Sequence, residues 1–335
     1  MKRLWVIIFP LFFAACSLID DDLTACGEDL SIDYQLQLHT ELSLQLQTEL
    51  MLETEEPVRN ALEKWLAPIF TDKAKDIDLS FFSAETDELQ HYIHEIINDN
   101  RTSYTFQLPK ENYVHLGIAN LEDNAQIQLA NGAHAETMEL VLNNKSESAS
   151  FSTGVFTARE HMEIGDTSQN FDVRLYMATC AIAVVVDTTR CDSLVSMSGF
   201  MSGSAESFSV RDSVYTYSGK NRLLLEEVPI DEKPRKSPGK TPQIEHPSQY
   251  TCLGVSSFPT ADDQSWSITV TSTLTGNRRT KTTLTVAEPV QAGTLRLVRV
   301  HVRGDGGLEP DNNDQEVGVT VELDWKQGGE HEIEI

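Results

Sequence analysis

Short stretches in which apolar and polar residues alternate recur along this chain, and a period of two leaves little choice but β-strands. Ile32, Tyr34, Leu36 and Leu38 alternate with Ser31, Asp33, Gln35 and Gln37, the pattern of a strand with one face buried. The alternation continues through Leu42, Leu44 and Leu46. Further strands are predicted at 77–82, 104–108, 113–119 and 138–142. A second set begins near Phe171 with Val173, Leu175 and Met177. It continues with 181–186, 208–211, 214–217, 266–274, 280–286, 295–302 and 317–325. The unbroken apolar run 181–186 reads as a central strand covered on both faces. Most of the others are bounded by Gly, Asp or Asn turns, as in β-sandwiches.

Only one segment breaks clearly with this pattern. Val58, Ala61, Leu62, Trp65, Leu66 and Ile69 follow the helical period, with Pro57 suited to the first turn and Pro68 near the end. Leu89, Tyr92, Ile93, Ile96 and Ile97 fit either a second helix or a strand. The expected architecture is therefore mainly β: two sandwich domains, with one or two short helices in the first. We expect the domains to span 27–165 and 166–335, divided where Gly165-Asp166 interrupts the pattern. Residues 231–248 hold Pro234, Pro238, Pro242 and Pro247 among Lys233, Arg235, Lys236 and Lys240, and so read as a long exposed loop.

The N-terminus carries an address. Lys2 and Arg3 precede an apolar stretch, Leu4 to Phe13, that is too short to span a bilayer, and Ala14-Ala15 lead directly into Cys16. This order reads as a secretory signal peptide (1–15) with a lipid-modified Cys16 behind it, a combination that holds a protein on a membrane. Asp20, Asp21 and Asp22 follow within an acidic tether, 16–26. They look like the signal that sends Bacteroidetes lipoproteins to the outer face of the outer membrane, and anionic headgroups would repel them as a membrane-binding patch. A net charge of −26 likewise argues against nucleic acid as a partner. The roughly 320 residues behind the signal are enough for two real cores, and 40% hydrophobic content excludes a disordered chain.

Candidate chemistry is sparse. His94-Glu95-Ile96-Ile97-Asn98 approaches the zinc-protease helix, but Asn98 stands where the second histidine is needed. His91 and His94 could share one helix face. Asp311-Asn312-Asn313-Asp314 lacks the glycine and the glutamate of a calcium loop in register. Ser202-Gly203-Ser204 lacks nucleophile-elbow spacing, and there is no phosphate loop. The sequence thus calls for no catalytic residues, no metal and no cofactor. Besides Cys16 there are Cys26, Cys180, Cys191 and Cys252. An exported chain can oxidise them. Cys180 and Cys191 are a candidate disulfide if they sit on adjacent strands of a hairpin, and a buried free thiol at Cys180 is the alternative. Asp187-Thr188-Thr189, Asp192-Ser193-Leu194 and Asp212-Ser213-Val214 resemble a short O-glycosylation acceptor motif.

Several segments in order carry a wider resemblance: CSLIDDDLTACGEDLSIDYQLQL (16–38), IFTDKAKDIDLSFF (69–82), YTFQLPKENYVHLGIANL (104–121), FDVRLYMATCAIAVVVD (171–187) and VGVTVELDWKQG (317–328). Their order and spacing behind a lipidation signal resemble the FimB/Mfa-like fimbrial anchor family of Bacteroidales. The resemblance implies two domains of transthyretin-like, Greek-key topology. It also implies a lipid-anchored minor subunit of a type V pilus, located at the outer membrane and partnered by the fimbrial stalk subunit.

In such pili a strand of one subunit completes the sheet of the next. Stalk subunits lose their own first strand to a protease, whereas an anchor keeps it. Here that strand would be 32–38, and no Arg or Lys lies between Cys16 and Val58 for a trypsin-like protease to cut. The candidate donor strand is Val317, Val319, Val321, Leu323 and Trp325, or the tail 331–335 beyond Gly328-Gly329. An ordinary last strand of the second sandwich explains 317–325 equally well. A surface adhesin or glycan-binding lipoprotein is the alternative function, although Trp266, Trp325 and the tyrosines are too scattered to show an aromatic platform.

Overall fold

The computed structural model describes residues 30–38, 55–97, 102–230, 249–311 and 317–323. Among them lies one α-helix, α1 (Glu56–Leu66), and the rest of the regular structure is almost entirely strand. The first nine strands are β1 (Leu30–Leu38), β2 (Asp76–Ser83), β3 (Leu89–Ile96), β4 (Ser103–Leu108), β5 (Asn112–Ala119), β6 (Ile127–Ala130), β7 (Glu139–Leu142), β8 (Phe156–Glu163) and β9 (Gln169–Met177). Seven of them form a sheet in the order β3-β2-β5-β8-β9-β1-β4. β8 and β9 share only two residue pairs, Phe156 with Met177 and Thr157 with Tyr176, at the end far from their connecting turn. The sheet therefore folds over on itself at that seam. β9-β1-β4 faces β3-β2-β5-β8 across a common core in which Ile32, Tyr34, Tyr104 and Val173 meet Leu79, Phe81, Tyr113 and Phe156.

The second sandwich follows with β10 (Cys180–Asp187), β11 (Leu194–Ser202), β12 (Ser207–Ser209), β13 (Val214–Thr216), β14 (Leu223–Leu224), β15 (Glu226–Val228), β16 (Tyr250–Ser257), β17 (Trp266–Leu274), β18 (Arg278–Val286), β19 (Leu295–Val302), β20 (Leu308–Pro310) and β21 (Val317–Leu323). Sheets β15-β16-β10-β19-β20 and β14-β11-β17-β18-β21 enclose its core. β10 is covered on both faces, as its unbroken apolar run requires: Ile182, Val184 and Val186 point into the second core, while Ala181, Ala183 and Val185 join the first.

Those small alanines leave room for α1. The helix begins with Glu56 and Pro57, ends its last turn with Lys64, and buries Val58, Ala61, Leu62 and Leu66. Trp65 lies over β16, and its indole donates to Glu226 Oε1 at 2.7 Å. A Cβ at Gly254 would sit 2.5 Å from the Trp65 ring. Gly254→Ala should therefore push α1 off the sheet and cost about 1–3 kcal/mol, the usual penalty of overpacking; a urea midpoint equal to wild type would contradict this contact.

One division lies elsewhere than expected, and one open reading is settled as a strand. The sheets change at Ala178-Thr179, not at Gly165-Asp166, because β9 remains in the first sheet and Gly165-Asp166 is only the turn between β8 and β9. The division is not clean even there. β12 returns to the first half and pairs with β7, as in Phe208 with Leu140, and β13 lies on its other side, giving a four-stranded sheet β13-β12-β7-β6. That sheet covers the outer face of β2 and β5 through Phe82, Val114, Leu116 and Ile118. The segment open to a helical reading, 89–97, holds strand β3, whose side chains at Gln90, Tyr92, His94 and Ile96 are exposed. His91 and His94 therefore point to opposite faces rather than sharing one. Residues 40–50 and the Pro- and Lys-rich stretch 231–248 lie outside the described residues.

Candidate strand-pairing site

The geometry that bears on strand exchange surrounds β1. It runs parallel to β9, with Ile32 beside Gln169 and Leu38 beside Leu175, and antiparallel to β4, with Leu30 beside Leu108 and Gln35 beside Ser103. In the ladder of described strands β4 reaches the sheet only through β1. The strand is thus an interior one, and its removal would break two ladders and open a slot between β9 and β4. Its alternation places Ile32 and Tyr34 inward, both almost fully buried, and leaves Gln35 exposed.

Tyr34 is held at the centre of this slot. Its ring meets Tyr104, Phe106 and His115 edge to face, the last at 5.0 Å between centroids. Its hydroxyl crosses the sandwich to Nε2 of His115 on β5. The roles follow from the other ring nitrogen. His115 Nδ1 lies 3.0 Å from the carbonyl of Ser80, which can only accept, so Nδ1 carries the proton and Nε2 accepts from Tyr34. Phe81 stacks on the imidazole at 4.5 Å. Complete burial pushes the His115 pKa down to about 3, so the ring is neutral. Burial likewise raises the Tyr34 hydroxyl well above its ordinary range, which keeps it a donor.

Nothing local in the sequence signalled this pair. A histidine inside the apolar run Tyr113 to Ala119 was the one visible anomaly, and its partner lies 81 residues away. Of the residues that the sequence did single out, Cys16, Asp20, Asp21, Asp22, Cys26 and Trp325 lie outside the described residues. Val317, Val319, Val321 and Leu323 belong to β21, which pairs in register with β18 at the edge of its own sheet. Among the described residues that segment is an edge strand of the second sandwich, with Val317 packed on the core and Val319 exposed.

The candidate disulfide is also corrected. Cys180 opens β10 and Cys191 follows its far end, so about 20 Å of extended chain separates them. Cys180 and Cys191 are buried and not bonded to each other, and burial raises the Cys180 thiol to about 12. Thr188, within one acceptor-like motif, is buried, with its hydroxyl donating to the Gln249 carbonyl at 3.0 Å. Ser204 is buried too, with its hydroxyl and carbonyl both bonded by the Asn221 amide. Among the described residues no group of three His, Cys, Asp or Glu side chains is placed to hold a metal ion.

No protein-family model matches the chain, and no curated protein does. Solved structures do. A candidate adhesin from Bacteroides ovatus aligns over 87% of this chain and 95% of its own, with a TM-score of 0.53 and 10% identity. A candidate adhesin from Bacteroides thetaiotaomicron aligns over 88% and 96%, with a TM-score of 0.51 and 11% identity.

This chain shares their fold. The likeness is one of architecture, given the low identity, and it runs nearly end to end in both chains. The neighbours also include the fimbrial anchor protein Mfa2 from Porphyromonas gingivalis, at a TM-score of 0.48 and 10% identity over 88% of this chain and 98% of that one.

Proposed function

We propose that this chain is a lipid-anchored minor pilus subunit, which holds a type V fimbria on the outer membrane by strand exchange with the stalk subunit. One observation carries the reading. The strand that a stalk subunit gives up to a protease is here an interior member of the sheet, joined to β9 and β4 along its length. The first Arg or Lys after Cys16 is Arg59, which is half-buried within α1. Cleavage there requires the helix to open. The folded chain should therefore keep β1 through treatment with an Arg-specific protease at a dose that trims a stalk subunit, and mass spectrometry of the product checks this.

The placement of Cys16 behind a signal sequence supports attachment through lipid, with the acidic tether 16–26 directing display at the surface. The decisive experiment deletes the gene and follows the cognate pilin between washed cells and medium. Pilin shed into the medium, restored to the cells by wild type but not by Cys16→Ala, is the expected result. Unchanged retention would overturn the anchor reading. It would favour a surface adhesin or glycan-binding lipoprotein instead, a role supported by the fold shared with candidate adhesins. The fold shared with candidate adhesins is in keeping with a structural part.

A further inference from the structure

We infer that the outer face of sheet β14-β11-β17-β18-β21 is a glycan-binding surface, which takes a carbohydrate chain carrying an isolated carboxylate at Arg222. No part of β1, β4 or β9 contributes to this face, so the role is separate from that of an anchor.

The face follows from the alternation of its strands. Ile268 and Val270 of β17 and Leu284 of β18 point into the second core, so the residues between them point outward. The outward set is rich in hydroxyls. Ser198 stands opposite Thr271, Ser267 opposite Thr285, and the Thr269 hydroxyl lies 3.1 Å from that of Thr283. Such rows repeat about 5 Å apart across the strands and about 7 Å apart along them, a lattice of donors and acceptors. The charge here is also unlike the rest of the chain. β11, β17 and β18 contain no Asp or Glu, in a protein with 52 of them, while β18 holds Arg278, Arg279 and Lys281.

One side of the lattice carries a prepared cation. Arg222 lies just before β14, with its guanidinium carbon 3.9 Å from the centroid of the Phe200 ring on β11. Its backbone is fixed at both groups: the N–H donates to the Ser146 carbonyl, and the carbonyl accepts from Ser148. Among the described residues no carboxylate forms an ion pair with it, Glu147 between those serines included. Phe200 belongs to none of the three cores and is only half-buried. Stacking uses the flat face of the guanidinium and leaves its N–H edges free for the two oxygens of a carboxylate. Leu224, opposite Phe200 and 41% exposed, adds an apolar ledge beside it.

A sugar acid fits these parts: its carboxylate on Arg222, its C–H face on Leu224, and the hydroxyls of the following sugars on the Ser and Thr rows. A net charge of −26 disfavours a densely charged polymer, but screening over about 8 Å leaves one carboxylate governed by its local contacts. A protein partner would want an apolar centre, which this face lacks.

The test offers the full mature chain to an array of uronate- and sialate-terminated oligosaccharides beside their neutral counterparts. Acid-terminated glycans should bind about tenfold more tightly. Arg222→Gln should abolish that preference, and Arg222→Lys should restore only part of it, since an ammonium lacks the planar fork. Arg174→Gln, at an exposed position of β9, changes the net charge equally and should leave binding unaltered. Retention of no acid-terminated glycan, or equal loss in the two glutamine variants, would overturn the inference. Cells carrying Arg222→Gln should still hold their pilin. Pilin shed by those cells would make this face part of the stalk attachment and would likewise overturn the glycan assignment.

Discussion

Tyr34→Ala is expected to lower the melting temperature by about 8 °C or more, while Tyr34→Phe shifts it by a fraction of that. Two losses combine in the alanine variant. Truncating a fully buried aromatic side chain costs about 3–5 kcal/mol, because the rigid walls of the core collapse only partly onto the void. His115 Nε2 is then left without its donor, for about 1–3 kcal/mol more. The phenylalanine variant suffers only the second loss. At about 2–4 °C per kcal/mol for a cooperative unit of this size, the two variants should separate clearly in a thermal melt followed by near-ultraviolet circular dichroism. If the alanine variant melts within about 2 °C of wild type, β1 does not belong to the folded core, and the retained-strand argument loses its basis.

That dependence shows where sequence legibility ended. β1, β5, β10, β17 and β19 were readable because each carries either strict alternation or an apolar run bounded by turns. α1 was readable because no strand could hide Val58, Ala61, Leu62 and Leu66 on one side. β8 escaped notice: Arg159, Glu160, His161 and Glu163 occupy its exposed positions and mask the buried Ala158 and Met162. β11 escaped for another reason. A side chain at Gly199 would meet the Thr269 carbonyl at 2.6 Å, so an inward position of this strand has to go without an apolar residue. The pairing of β12 with β7 joins segments 66 residues apart and has no local signature at all. The candidate disulfide is different: the strand at 181–186 is readable in the sequence, and it is this extended strand that holds Cys180 and Cys191 about 20 Å apart.

The candidate site was legible in its outline but not in its lock. Period two identifies β1 and its inward set. That β1 lies parallel to β9 and antiparallel to β4 follows from chain topology, which no pattern in nine residues encodes. The hydrogen bond from Tyr34 to His115 is a contact between opposite faces of a sandwich, fixed only when both sheets are in place.

The same histidine makes the fold sensitive to acid from an unusually high pH. His115 is neutral when folded, with its pKa at about 3, and regains the ordinary value near 6.5 when the chain unfolds. Above pH 6.5 neither state binds the proton, and its contribution to stability is fully present. As pH falls from 6.5 toward 3 the unfolded chain takes up a proton that the native core refuses, so stability declines by at most about 1.4 kcal/mol per pH unit. His94 acts in the opposite direction. Its hydrogen bond to Asp78, at 3.0 Å, raises its pKa, so its contribution grows as pH falls and is lost as pH rises through that raised value. This effect is damped because His94 is more than a third exposed. Asp305 and Glu309, held low by Arg303 and His301, weaken the fold only where carboxylates titrate, below this window. The contribution of His115 is therefore isolated by comparing urea unfolding of wild type and His115→Gln at pH 7.5, 6.5, 5.5 and 5.0. Wild type should lose about 1–2 kcal/mol more than the variant between pH 6.5 and 5.0, with no difference in slope above 7. Parallel curves over the whole range would mean that protons reach His115 in the folded chain, and that the core around Tyr34 is open to water.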